Sequence, residues 1–311
     1  MEENSIPSFG IVGAQKAATT FLHSCLREHP NIFMPEGELA DFEDPNYETF
    51  NRTEFLDHFK NGKDLINGFR RPNYLHRPEV PSRLVEHVPN LKIIVSLRDP
   101  IERAVSAYFH FIRMGFVPVR DPNHGIPKIA SNEWEDRYPR SKEILDFGLY
   151  YRQIKRYVEK FDKKNILIVK LEDIKKDALK VVSSICKFIG VNPNLITEET
   201  VEGRSNTGVY SLSRLSLIRL KNPILYKYHY DRRRLENRSD IGVAGRVGLR
   251  IVNLIDRAVM RPLFSNSRPK LEEGTRKILI DYYYSDSSKL RKNTDLDIGG
   301  WGVFSDKEGS G

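Results

Sequence analysis

The stretch FGIVGAQKAATTFL, Phe9–Leu22, reads as an apolar strand, a tight loop carrying one lysine, and a helix that opens on two threonines. A strand feeding a loop and a helix N-terminus makes an anion cradle. Backbone N–H groups of the first helical turn lack intrahelical partners, and the helix dipole adds partial positive charge there. Lys16 adds a full charge. Counted from Gly10, the spacing GxxxxGK[ST] fails twice, with Gln15 where glycine is required and Ala17 where a hydroxyl is required. The side chain that would hold Mg²⁺ beside the lysine is therefore missing. The hydroxyls come instead at Thr19 and Thr20, within reach of an anion from the first turn, which describes a phosphate site working without a metal.

A second stretch, LKIIVSLRDPIERAVSAYFHFIRM (Leu91–Met114), begins as a β-branched apolar run suited to a strand buried on both faces. Asp99-Pro100 then supplies a helix N-cap and a favoured first helical residue, which leaves Arg98 at the strand's carboxyl end. Ser106 follows Arg98 by eight residues, about two helical turns, so the pair is spaced to hold one anion. An Arg paired only with Asp99 or Glu102 is the plainer account of the same corner. Two cationic, hydroxyl-bearing sites at strand ends predict an open α/β sheet, the place where such sheets bind nucleotides.

These residues resemble the sulfotransferases that use 3′-phosphoadenosine-5′-phosphosulfate (PAPS), in the branch with heparan sulfate sulfotransferases and bacterial enzymes. GAQKAATT is similar to that family's 5′-phosphosulfate loop and LRDPIERAVSAY to its 3′-phosphate motif. NILIVKLEDIKKDALKVVSSICKFIGV and YYYSDSSKLRKN with Trp301 resemble its later strand-helix unit and its closing helix. The resemblance implies a three-layer fold with a mainly parallel sheet flanked by helices, P-loop-like, over one domain spanning residues 1–311. It implies that Gln15, Lys16, Ala17, Ala18, Thr19 and Thr20 hold the phosphosulfate, and that Arg98 and Ser106 hold the 3′-phosphate. Arg204 and Asn206, in EGRSNTGVYS, would reach the cofactor from a closing loop. In-line sulfuryl transfer builds negative charge on the leaving phosphate, which Lys16 would stabilise, while a carboxylate takes the acceptor's proton. Neither a metal nor a covalent intermediate is required.

Glu38, in PEGELADFEDP, aligns with the family's catalytic Glu, although Gly37 and Ala40 stand where Lys and His are frequent. Five carboxylates crowd this segment, at Glu36, Glu38, Asp41, Glu43 and Asp44, so a solvated acidic loop or a grip for a cationic acceptor accounts for it too. Asp41 and Glu43 are the substitute bases, and His76 is the best-placed histidine. Arg70 occupies a position where the family carries Lys, and is assigned to the acceptor side, a planar guanidinium being no simple replacement for an ammonium.

The net charge of +8 and a pI near 9.3 suit a polyanionic cofactor, and equally nucleic acid. The basic run YKYHYDRRRLENR (226–238) would carry the latter, but it comes with no nucleic-acid module and reads as a solvated helix face. A P-loop kinase is the enzymatic rival, distinguished by ATP and Mg²⁺. Cys25 and Cys186 fall in apolar helical contexts and make no disulfide framework. A polar N-terminus and the lack of a long apolar run predict a cytoplasmic protein with no membrane partner. The acceptor is expected to be a small metabolite, with a carbohydrate as the alternative. Residues 115–140, rich in Pro, Gly and Asn, read as a long acceptor-side loop. The least family-like region, 212–268, predicts the helices SLSRLSLIRL and VGLRIVNLIDRAVM, with apolar faces packed on the body or on a partner chain, and a homo-oligomer is one form such a partner takes.

Overall fold

A computed structural model describes residues 6–203, 208–229 and 234–305. In chain order these form β1 (Phe9–Gly13), α1 (Thr19–Arg27), β2 (Ile32–Phe33), α2 (Arg52–Asp57), β3 (Ile66–Arg70), α3 (Val80–His87), β4 (Lys92–Leu97), α4 (Pro100–Arg113), α5 (Pro122–Ala130), α6 (Glu143–Asp146) and α7 (Tyr150–Val158). Then come β5 (Ile166–Lys170), α8 (Leu171–Lys176), α9 (Ala178–Ile189), α10 (Glu198–Val201), α11 (Leu212–Ile218), α12 (Asn222–Leu225), β6 (Tyr226–Tyr228), β7 (Leu235–Asn237), α13 (Gly242–Ile255), α14 (Arg261–Leu263) and α15 (Glu273–Asn293). Two compact units result: residues 1–99 with 150–206, and residues 100–149 with 207–311.

The first unit holds a five-stranded sheet in the order β2-β3-β1-β4-β5, parallel throughout. Both apolar runs that open the two motifs are interior strands, and every residue of β1 is buried. The chain runs outward from β1 to β2 and β3, then returns past β1 to β4, so the strand order reverses at β1. The carboxyl ends of β1 and β4 are therefore where such a sheet leaves a crevice. Phe9 pairs with Gly68 and Gly10 with Phe69 across β1 and β3. A Cβ on Gly68 would lie 2.1 Å from the Phe9 ring, and one on Gly10 would lie 2.6 Å from the Phe69 ring. Each glycine thus makes room for the partner strand's phenylalanine, one on each face of the sheet.

On one face, Phe9, Ile11 and Ile94 pack with Leu22, Cys25 and Leu26 of α1 and with Val182, Ile185, Cys186 and Ile189 of α9. Asp177 caps α9 through Lys180 N, and Gly190 at φ 95 ends it in the left-handed conformation. Cys25 and Cys186 lie inside this cluster and form no disulfide, and burial, with Cys25 beside it, pushes the Cys186 thiol up to about 11.

In the second unit α4 is almost wholly buried. Arg103, with no exposed surface, donates to the Ile144 carbonyl, and Tyr283 of α15 donates to Leu145 O at 2.8 Å. Two expectations fail here. Within 115–140, α5 replaces the long loop: Asp121 caps it through Asn123 N and Pro122 opens it, repeating the Asp-Pro start at Asp99-Pro100. Gly125 and Pro127 hide that helix from a propensity argument, yet Gly125 serves packing, since a Cβ there would meet the Tyr108 hydroxyl at 2.0 Å. The described part of the basic run 226–238 is an antiparallel hairpin, β6 with β7, in place of a helix face. Its Tyr-Lys-Tyr-His-Tyr alternation has the period of a strand.

Candidate functional site

The first unit collects most of the expected site. Between β1 and α1 the loop turns through Lys16 at φ 70 and Ala18 at φ 65, both in the left-handed region that costs a residue with a side chain about 1–2 kcal/mol. The tip of β4 holds this conformation. Ala14 N donates to Ser96 O at 2.7 Å, Ser96 Oγ donates to the Ala17 carbonyl, and the buried Arg98 donates from Nη1 to Lys16 O at 3.4 Å. With Ala18 at the N-cap, no side chain caps α1, so the first-turn N–H groups keep their capacity for an anion. Gln15 Nε2 donates to Asn73 Oδ1 at 3.2 Å, while its Oε1 is buried without a hydrogen-bond partner. Thr19 is buried and Thr20 exposed.

Arg70, at the end of β3, joins this loop to the acidic segment. Its Nη1 donates to Thr20 Oγ1 at 3.1 Å and lies 2.9 Å from Glu38 Oε1. The other Glu38 oxygen accepts from Arg71 Nη1 at 3.0 Å, so two guanidiniums hold one carboxylate. Arg70, expected on the acceptor side, thus also touches Thr20 in the first turn of α1, which is expected on the donor side. Its own pKa is lowered by burial despite Glu38; Arg71 is also buried, but Glu43 and Glu38 more than offset this and raise it.

The substitute bases fare differently. Glu43 is buried and ion-paired to Arg71, with Arg77 Nε at 3.9 Å. Asp41 lies 3.7 Å from His58 Nε2. His76 is half-buried on the turn after β3, where its carbonyl accepts from Arg156 at 3.0 Å. A cavity of about 290 Å³ opens beside Glu38, with Asp41, Glu54, His58, Asn46 and Phe50 in its wall. Ser106 lies on α4 in the second unit, 7% exposed. Arg204 and Asn206 fall outside the described residues.

Sequence reasoning missed four supporting residues: Arg71, Ser96, Asn73 and His23. His23 Nε2 donates to the Pro35 carbonyl at 2.8 Å and so ties α1 to the start of the Glu38 segment. Burial, assisted by Arg70 and Arg27, lowers its pKa to about 4, which keeps the ring neutral at ordinary pH. The signal for Arg71 was present, because five carboxylates at 36–44 need counter-charges and Arg70-Arg71 is the nearest basic pair in a strand context.

Comparison with known proteins agrees with this geometry. Bifunctional heparan sulfate N-deacetylase/N-sulfotransferase 4 of Mus musculus is 28% identical over 205 residues, 61% of this chain and 23% of that protein. The human N-deacetylase/N-sulfotransferase 3 is 28% identical over 226 residues, 66% of this chain and 24% of that protein. The chain thus spans about a quarter of the length of the curated relatives it matches. A solved sulfotransferase from Alicyclobacillus acidocaldarius superposes with a TM-score of 0.63 at 20% identity, covering 95% of this chain and 98% of that one, a likeness of fold. The model of the sulfotransferase domain matches residues 7–209, about two thirds of the sequence, and the chain belongs to the sulfotransferase domain family.

Proposed function

We propose that this protein transfers a sulfuryl group from PAPS to an amine or hydroxyl of an acceptor. The observation that carries the reading is the uncapped, left-handed loop of Lys16 and Ala18, joined through Arg70 to a carboxylate at Glu38. The residues fit the donor: the α1 N-terminus is without a side-chain cap, Gln15 Oε1 and Arg70 Nε are buried polar atoms without hydrogen-bond partners, and cationic side chains converge on the loop. PAPS, when bound, supplies the sulfuryl group and an anionic leaving phosphate. The first-turn N–H groups of α1 with Thr19 and Thr20 would hold phosphosulfate oxygens, and Lys16 would stabilise charge on the leaving side. Arg98 and Ser106 are the proposed pair for the 3′-phosphate, and Arg204 and Asn206 the proposed closing residues. Glu38 would take the proton from the acceptor.

For the acceptor, the acidic cavity beside Glu38 supports a neutral or cationic group, and an amine-bearing molecule meets that condition. The relatives are named for N-sulfation of heparan sulfate, which favours an amino sugar among such molecules. Isothermal titration with PAPS and with its desulfated product PAP tests the donor assignment; no detectable affinity for either overturns it. Radiolabelled PAPS with separate pools of amino sugars, small amines and hydroxyl acceptors tests the acceptor, and transfer confined to hydroxyl compounds would overturn the amine reading.

A further inference from the structure

Helix α13 and the π-turn that follows it bury one side. Val252 and Asp256 are buried, and Asp256, at the start of a π-turn (Asp256–Met260) that leads into α14, accepts from Arg214 Nε and Nη2 at 2.9 and 3.1 Å and from Arg261 at 3.2 Å. Those bonds hold its carboxyl below the usual range. The close approach of Gly245 and Gly248 to Ile224 seats the same side of the helix on α12.

The opposite side is apolar and in water. Val243, Val247, Ile251 and Leu254 are 69%, 47%, 52% and 66% exposed, and Leu263 beyond the π-turn is 70% exposed. The spacing of four, four and three residues aligns the first four on one stripe. From Val243 to Leu263 the helical segment is about 30 Å long at 1.5 Å per residue. Monomers rarely leave such a stripe uncovered. The expectation that this apolar face packs on the body therefore fails for α13, and the face needs another occupant.

Charge indicates which. Arg246, Arg250 and Arg257 are exposed and fall along one edge of the stripe, while the only acid from Gly242 to Leu263 is Asp256, buried in its arginine pairs. A second copy would bring the same arginines and no exposed acid to meet them, since a two-fold contact pairs a patch with itself. We propose that the α13–α14 face lies on an anionic lipid surface, with the apolar stripe at the acyl boundary and the arginine edge among headgroup phosphates. Membrane contact of this kind requires no spanning segment. Among the described residues no helix is long and apolar enough to cross a bilayer, and a surface contact departs from the expectation of no membrane partner.

The test is co-sedimentation of the full chain with vesicles of phosphatidylcholine alone and of phosphatidylcholine mixed with phosphatidylserine. It needs neither donor nor acceptor, so its outcome is separate from that of the transfer assay. Binding is expected to be about tenfold or more stronger on the mixed vesicles and to fall as salt rises. The variant I251D/L254D lowers it at least about tenfold, I251L/L254I keeps it, and R246Q/R250Q/R257Q removes the preference for the anionic lipid. All these side chains are exposed, so unchanged circular dichroism and thermal midpoint are expected throughout. The proposal is overturned if neither vesicle binds, or if binding is indifferent to I251D/L254D. It is equally overturned if light scattering finds a dimer that the same pair of substitutions dissociates, which would assign the face to a second copy.

Discussion

Replacing Glu38 by Gln is expected to tighten the binding of PAP while nearly abolishing transfer. Arg70 Nη1 lies 3.1 Å from Thr20 Oγ1 and 2.9 Å from Glu38 Oε1, so an anion arriving at the α1 N-terminus competes with Glu38 for the same guanidinium. At a charge separation of about 4 Å and an effective dielectric constant of about 20, the Arg70–Glu38 attraction is about 4 kcal/mol gross. The Glu38 side chain is 34% exposed, and solvent screening with side-chain entropy reduces the net value to about 1 kcal/mol. Removing the charge removes that competition and the repulsion between carboxylate and phosphate, so PAP affinity rises about fivefold. Loss of a positioned base lowers the transfer rate by about 10²–10⁴. Isothermal titration with PAP and a radiolabelled transfer assay read the two effects separately. Unchanged or weaker PAP binding by Glu38→Gln would refute the competition at Arg70, and full activity in that variant would place the base elsewhere.

Three further outcomes follow from the same contacts. Lys16→Ala and Lys16→Gly should both lose transfer by about 10²-fold or more, yet Gly should be the more stable of the two by about 1 kcal/mol in urea unfolding, because position 16 sits at φ 70; equal stability would remove the strain argument. Folded His23 titrates near 4 against 6.5 ordinarily, so its contribution is complete above pH 6.5 and is lost as pH falls through 4, by about 3 kcal/mol at most. The thermal midpoint should drop over that window in the wild type and drop less in His23→Gln; parallel curves would refute it. Gly125→Ala sets a Cβ 2.0 Å from the Tyr108 hydroxyl and should destabilise the fold by about 1–3 kcal/mol, read as a lowered urea midpoint; an unchanged midpoint would show that α5 shifts freely.

Patterns confined to one element were legible early. The apolar runs at Phe9–Gly13 and Lys92–Leu97 are interior strands because only a strand covered on both faces tolerates such composition, and the lysine loop lies where its failed Walker spacing put it. Helix α5 was missed although Asp121-Pro122 repeats the signal that correctly started α4, because Gly125 and Pro127 argue locally against a helix that Tyr108 and the rest of the second unit stabilise. The paired strands Tyr226–Tyr228 and Leu235–Asn237 lie in a run whose charge points to a helix face, when the alternation at Tyr226–Tyr228 carries the structural information.

By itself the sequence determined a parallel α/β sheet with an anion loop at one strand end, since strand burial, helix starts and loop charge are written in residues close together in the chain. Only the tertiary structure decided which carboxylate each arginine holds. Glu38 and Glu43 are five residues apart and look alike in sequence, yet Glu43 is buried against Arg71 and Glu38 is left between Arg70 and a cavity. It also decided that the apolar stripe of α13 faces outward, since periodicity fixes that a helix has two faces, while the packing of its neighbours fixes which face meets water.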